Sequence, residues 1–523
     1  MTRTLPALAA FALLPFAQSQ NWPQGAGPNH DFIVPSADVP NEWSVIQNRN
    51  VLWRTELPEL GQSSIVTWED HLFFTINQAV EADASLGKDI VAYCCDANTG
   101  AILWTRPIAG RYDLKIASSF GDSSGPPPVT DGKQVCFFNA GGVIESFDFQ
   151  GDRLWKREAL IANRAHPILS DNALIYIEIN SPPDEKGGYP HPKETPPFSA
   201  WTQLQALDFK TGEPLWTTRC GANMGSLPLL VELEDGQPAL LVGRGGGHSP
   251  PERPIGISLV HAHDGSEIWN LPIDDFNATM TKPVHGGQAL IFHNDEHWWI
   301  DLKTGQVTRQ VSIMDDVTVA EWECDGWGHS TKSLTETNKP REITQQSNLL
   351  VGDYHYFRSY AYNYLGRVNV VSGKVEYLQL PTSMLRSVDS PDRFVWSADD
   401  LDGVLPEEKF FRVPTEPAYW SFALNNMRNT RGFQVMGDAR SQGNGWGHVA
   451  APIPTVAGET LFIPVMSGIV YAIDWNVEKL DENALIAVND LGALGDSWTR
   501  SSLTIANGKL YARTIKELIC IGE

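Results

Sequence analysis

DANTGAILWTR, residues 96–106, sets a tight turn before an apolar run that ends in tryptophan, and the chain repeats this phrase. NVLWRTE (50–56), DFQGDRLWKR (148–157), DFKTGEPLWTT (208–218) and AHDGSEIWNL (262–271) place Trp53, Trp155, Trp216 and Trp269 where Trp104 stands. From the second copy on, a glycine precedes the tryptophan by four residues: Gly100, Gly151, Gly212 and Gly265. The steps between tryptophans are 51, 51, 61 and 53 residues, a period that marks a solenoid or a propeller.

The turn chemistry makes each copy a hairpin, because Asn-Thr-Gly, Lys-Thr-Gly and Asp-Gly supply the positive φ that joins antiparallel strands. A second hairpin with a β-rich run recurs eight times: WEDHLFF, TDGKQVCFF, LSDNALIYIEI, LEDGQPALLV, HGGQALIFH, VGDYHYFRSY, VAGETLFIPV and IANGKLYARTI. Several are followed by a strand closing on an acid, at Asp148, Asp208, Asp301 and Asp474. Three such strands and the tryptophan strand make a four-stranded blade, and radial repetition protects its edges. Towards the carboxyl end the signature fades, with Arg309 and Tyr377 in the tryptophan position. The last stretch, GKLYARTIKELICIGE, offers only three strands, so NVLWRTE is expected to return as the fourth and close the ring. The expected fold is all-β: an eight-bladed β-propeller of four-stranded antiparallel blades, closed by an N-terminal strand.

The propeller spans 50–523, with an insertion at 382–448 rich in Asp, Pro and Asn, and an N-terminal extension at 20–49. Residues 1–19 read as a signal peptide: Arg3, the apolar LPALAAFALLPFA, and a small-x-small pattern ending at Ser19. That run is too short to span a membrane, so the expectation is a periplasmic or secreted protein, monomeric, with no transmembrane segment. A net charge of −24 argues against nucleic acid and anionic membrane surfaces, which repel such a field.

A strand ending in Asp, then xTG, then xxxW, repeated around a ring, resembles the repeat of the pyrroloquinoline quinone (PQQ) dehydrogenase propellers and their cofactor-free relatives. The opening NWPQGAGPNHDF resembles the start of exported PQQ-like propeller proteins of environmental bacteria. The dehydrogenase resemblance implies PQQ, calcium and two adjacent cysteines bridged against the quinone. Cys94 and Cys95 are adjacent but lie on the strand leading into the tryptophan turn, where neighbours face opposite ways and bridging needs a distorted peptide. They read more simply as small buried hydrophobes. Cys136 and Cys520 also fall in strands, and Cys220 and Cys324 near blade junctions. No calcium loop of the DxDxDG type and no CxxCH is present. The chain is also similar to a lipoprotein of outer-membrane assembly, a non-catalytic scaffold, but lacks its lipid-bearing cysteine.

Loops leading into the innermost strands converge on one end of a propeller axis. Here they are FGDSSGPPPV, NRAHPIL, GANMGSLPLL, TMTKPVH, GWGHSTKSL, GWGHVAAPIP and DSWTRSSLTI. The side chains expected to bind a ligand there are Asp122, Arg164, His166, Lys282, Trp327, His329, Trp446, His448, Trp498 and Arg500. Indoles would wall the mouth, and the cations would hold an anionic or sugar-like group. The plainer reading is steric: glycine before a packed tryptophan suits a blade junction, and histidine can cap carbonyls. No spacing supports a metal site at His166, His329 and His448.

Three functions follow. The first is an exported non-catalytic platform for a protein or carbohydrate ligand, with no cofactor. The second is a PQQ- and calcium-dependent alcohol or sugar dehydrogenase, for which Asp122 is the acid nominated as general base. The third is a hydrolase or lyase with a His-rich mouth.

Overall fold

The structure, a computed structural model, describes residues 21–81, 84–116, 121–189, 202–245, 255–276, 281–323, 326–334, 347–359, 364–380, 385–386, 394–395, 446, 451–492, 497–515 and 517–523. The proposed leader lies outside these residues. So does most of the 382–448 insertion, of which the short pair Leu385–Arg386 and Phe394–Val395 and Trp446 are described.

Eight sheets are arranged as the blades of a propeller, and among the described residues the helical content is one 3₁₀ turn, Glu482–Ala484. Blade 1 is typical. Its inner strand Val66–Trp68 pairs with His71–Asn77, then Ile90–Asp96, then the outer Ile102–Ile108, all antiparallel. Blades 2 to 5 repeat the pattern from inner strands Val129–Thr130, Ile168–Ser170, Leu229–Glu232 and Val284–His285. Blades 6, 7 and 8 start at Leu349–Val351, Thr455–Ala457 and Thr504–Ala506. Neighbouring inner strands of blades 8, 1, 2 and 3 touch one another around the axis.

The ring closes as the sequence predicts. Val51–Glu56 pairs antiparallel with Glu517–Ile521 as the outer strand of blade 8, with Val51 opposite Ile521 and Glu56 opposite Glu517. The outer strands that hold the repeat tryptophan carry it to the next blade. The indole Nε1 donates to a backbone carbonyl there: Trp53 to Ala97, Trp104 to Phe149, Trp155 to Phe209 and Trp269 to Leu302, at 2.7–3.3 Å. Arg309 takes over where the tryptophan is lost, donating to the carbonyls of Val371 and Ser372 at 2.9 and 2.6 Å with its guanidinium 4.6 Å from the Trp299 ring. Buried apolar side chains of adjacent blades pack between the sheets; Cys94 faces the core shared with blade 2 and Cys95 that shared with blade 8.

Two features go beyond what the sequence predicts. The segment 21–34 lies along the inner strands: Trp22 bridges Thr67 of blade 1, the Thr130 amide of blade 2 donates to the Pro23 carbonyl, and the Leu169 amide of blade 3 donates to Gln24. It then crosses to blade 7, where Ile33–Val34 pairs parallel with Val456 and Ala457. The inner edges, which would present unpaired backbone groups to the channel, are thereby partly satisfied by the chain's own N-terminal segment. The second feature corrects the sequence reading. GWGH at 326–329 does not lead into a blade but begins the strand Gly326–Lys332, which forms a hairpin with Val317–Glu323. That hairpin adds to the outside of blade 6, where Thr318–Ala320 runs parallel to Glu376–Leu378. The open outer edge accepts further strands because only the inner side of a blade is confined by the axis.

Candidate functional site

The loops leading into blades 2, 3 and 8 bring Asp122, Arg164, His166 and Arg500 together at the axis. Asp122 is completely buried and fixed: its carboxylate accepts from Asn77 Nδ2 at 2.8 Å and from the Ser124 amide and hydroxyl at 2.9 and 2.7 Å. Arg500 donates to Gln62 Oε1 at 2.5 Å. Arg513, on the second strand of blade 8, ties the floor by donating to the Ser63 hydroxyl and to the carbonyls of Ser63 and Thr75, at 2.6–3.1 Å.

Arg164, His166 and Arg500 are each partly exposed, and His166 also lines the pocket beside the N-terminal segment. Desolvation weakens their hold on protons. Burial brings Arg164 to about 10. Arg500 falls to about 9, chiefly by burial, then by the charge of Arg164, against the pull of Asp122. His166 falls to about 4 through burial and then the charge of Arg500, so it is neutral at pH 7. Two guanidinium groups from blades 3 and 8 thus sit close enough to repel, beside one fixed carboxylate.

Lys282 is completely buried in the loop leading to blade 5, its Nζ 3.5 Å from the Ser226 hydroxyl, and burial lowers it to about 7. Behind it a buried polar chain runs outward. Thr281 donates to Asn348 Oδ1 at 2.6 Å, His355 Nε2 stands 2.8 Å from the same oxygen, and His297 Nε2 lies 2.9 Å from His355 Nδ1. A pocket lies among the inner strands of blades 3 to 5 and the N-terminal segment, with Gln24, His30, Phe32, His166 and Thr281 in its wall.

The remaining sequence candidates are placed elsewhere. Trp446 and Trp498 are fully buried in the core around blade 7; Trp446 meets Tyr471 edge-on and the Arg358 guanidinium at 5.3 Å. They do not wall a mouth, because a flat indole in a lead-in loop gains more from burial between blades than from the channel. Trp327 and His329 stand on the outer hairpin of blade 6, where His329 Nε2 lies 2.7 Å from Glu482 Oε2. His166 and His329 therefore do not share a mouth, and His448 lies outside the described residues. The sequence reading missed Gln62, Arg513 and the N-terminal segment. A signal for the last was its glycine: a Cβ on Gly25 would stand 2.7 Å from Pro127 and 2.8 Å from His166.

The adjacent cysteines that the dehydrogenase resemblance implies are not arranged as a bridged pair. Cys94 and Cys95 occupy the third strand of blade 1, face opposite cores and are free thiols, so no bridged pair covers the channel.

A family model described as outer membrane protein assembly factor BamB, of the PQQ repeat type, matches residues 46–218, about a third of the chain. The structure resembles quinohemoprotein alcohol dehydrogenases from Comamonas testosteroni and Pseudomonas putida HK5. Their TM-scores are 0.51 and 0.50 at 10% and 12% identity; 96% of this chain is covered in each case, and 81% and 80% of theirs. With BamB from Moraxella catarrhalis, 90% of this chain and 97% of that one are covered at 13% identity and a TM-score of 0.42. Among curated proteins none matches. These matches support a PQQ-like β-propeller, and at such identities the structural likenesses speak to fold alone. Among the described residues no helix is long and apolar enough to cross a membrane.

Proposed function

We propose that this protein is an exported binding platform without catalytic activity, which takes an anionic group of a protein or carbohydrate partner at the channel end formed by the blade lead-in loops. One observation carries the reading: Arg164 and Arg500, from the lead-in loops of non-adjacent blades, lie near enough for their charges to interact, and each keeps accessible surface. A buried guanidinium pair binds a carboxylate or sulfate through charge-assisted, often bidentate hydrogen bonds. The surrounding charge of −24 keeps non-specific polyanions away, so the channel is the place where an anionic group is welcome. The apolar run before Ser19 supports export.

The test is calorimetric titration of the full chain with a galacturonic acid trimer and with a Glu-rich peptide, at low and high salt. Saturable binding of either probe, weakened at least roughly tenfold in Arg164→Gln and in Arg500→Gln while the melting temperature holds, supports the reading. Binding indifferent to both substitutions, or no binding of either probe, ends it. Uptake of PQQ with calcium, coupled to reduction of an artificial acceptor by alcohols or sugars, would return the protein to the dehydrogenases.

A further inference from the structure

The outer hairpin of blade 6 reaches sideways to blade 7. His329, on its second strand, sets Nε2 2.7 Å from Oε2 of Glu482, in the 3₁₀ turn between the third and outer strands of blade 7. Asp481 caps that turn, its Oδ1 accepting from the Asn483 amide and side chain at 3.0 Å each. One ligand atom from each of His329, Asp481 and Glu482 lies within 4.8 Å of the other two, and all three residues keep accessible surface. The channel arginines play no part in this group.

We propose that His329, Asp481 and Glu482 bind a divalent cation of the zinc class and so clamp the outer hairpin of blade 6 to blade 7. The donor chemistry selects the cation. One imidazole nitrogen with two carboxylate oxygens is a set that zinc accepts, with water completing a four-coordinate shell, whereas calcium asks for six to eight oxygens. The geometry gives the clamp its purpose. Val317–Glu323 is fixed to blade 6 by the parallel pairing at Thr318–Ala320, by the Tyr364 hydroxyl donating to Glu321 and by Val317 and Val319 buried in the blade core, whereas on the second strand, Gly326–Lys332, the polar tie to blade 7 is the half-exposed His329–Glu482 contact, which by itself holds little. Without a cation the neighbouring carboxylates of Asp481 and Glu482 repel; with one, ligands that are 152 residues apart (481 − 329) are joined across two blades. Asp481 is already oriented by its cap, which lowers the cost of assembling the site.

The experiment uses the full chain, stripped with a chelator and desalted, titrated with zinc chloride by calorimetry. Hydrogen exchange of peptides covering 317–332 is followed with and without the metal. The expected result is one equivalent of zinc bound and slower exchange in the hairpin. His329→Ala and Glu482→Gln should each weaken uptake roughly a hundredfold, at least the loss caused by removing an outer-shell partner. Calcium chloride should not compete, and His263→Ala, which alters an exposed His–Asp pair elsewhere at 3.3 Å, should change nothing. His329 is 51% exposed, so its loss does not threaten folding. Absence of uptake, uptake indifferent to both substitutions, or uptake that leaves the hairpin unprotected would each overturn the clamp.

Discussion

Gly212 in blade 3 lies so close to Trp155 of blade 2 that a Cβ built on it would stand 2.6 Å from Cε3 of the indole. The turn glycine thus serves two ends. It takes the positive φ, here +73°, that the hairpin needs, and it lets the preceding blade's tryptophan lie flat on the turn. Gly100 meets Trp53, Gly265 meets Trp216 and Gly305 meets Trp269 in the same way, at 2.5–2.7 Å. The glycine four residues before a blade's tryptophan thus packs on the tryptophan of the blade before, so the repeated spacing serves a contact between blades.

Gly212→Ala is expected to destabilise the protein by about 2–4 kcal/mol, the sum of a left-handed backbone cost and the overpacking of an unyielding ring. At Gly236, where φ is +79°, an added Cβ would meet nothing within 4 Å, so Gly236→Ala should show only the backbone part. Urea unfolding of the two variants separates these terms. Equal losses would mean that the indole yields and the contact contributes nothing.

Acid should weaken the fold through its buried histidines. Burial lowers His355 to about 3 and His30 and His166 to about 4, and takes His297 well below its ordinary value, with the nearby His355 and Arg309 adding to the effect. In the unfolded chain these groups titrate near 6.5. Between the folded and unfolded values the unfolded chain binds more protons, so stability falls as pH drops below about 7. His355 shows why. Neutral, it can donate from Nε2 to Asn348 and accept at Nδ1 from His297; charged, it would donate from both nitrogens, and His297 would have to accept at Nε2 and carry its proton on the buried Nδ1, which has no partner. His355→Gln should make the decline in urea-unfolding free energy between pH 7 and 5 shallower by about one proton. An unchanged slope would show that His355 binds its proton as readily in the native as in the unfolded chain.

The described cysteines should resist both oxidation and reagents. Cys94, Cys95, Cys136, Cys220 and Cys520 are free and buried, and burial is the main force pushing their thiols up, Cys220 to about 11 and Cys95 and Cys520 to about 12. Since the thiolate is the reactive form, native protein at pH 8 should react with a disulfide reagent at these positions only after denaturant is added. Peptide mass mapping without reductant should find Cys94 and Cys95 unbridged. A bridge between them would reopen the quinone reading.

Much of the fold could be read in advance because a blade is a local object. Turn, strand and indole follow one another within about sixty residues, and the glycine spacing is a matter of adjacent hairpins. Ring closure was legible for a related reason: a last sheet of three strands leaves an open edge, and Val51–Glu56 was the strand without a blade. The site was less legible. Asp122, Arg164, His166 and Arg500 come together at the axis, but Trp446 and Trp498 turned inward to the core, and the loop holding Trp327 and His329 folded into an extra outer hairpin. A loop sequence records which side chains are present and not which side of the blade they face.

By itself, the sequence determined the repeating unit, the number of blades and the strand that seals them, since each depends on turn geometry and the need of a sheet to cover its apolar faces. Only the tertiary structure decided that Trp22 to Val34 line the inner strands, that guanidinium groups from blades 3 and 8 lie near each other, and that His329 reaches Glu482. Those relationships join residues more than a hundred positions apart, or cross the axis. They are set by how closed rings bring distant loops together, which no local pattern encodes.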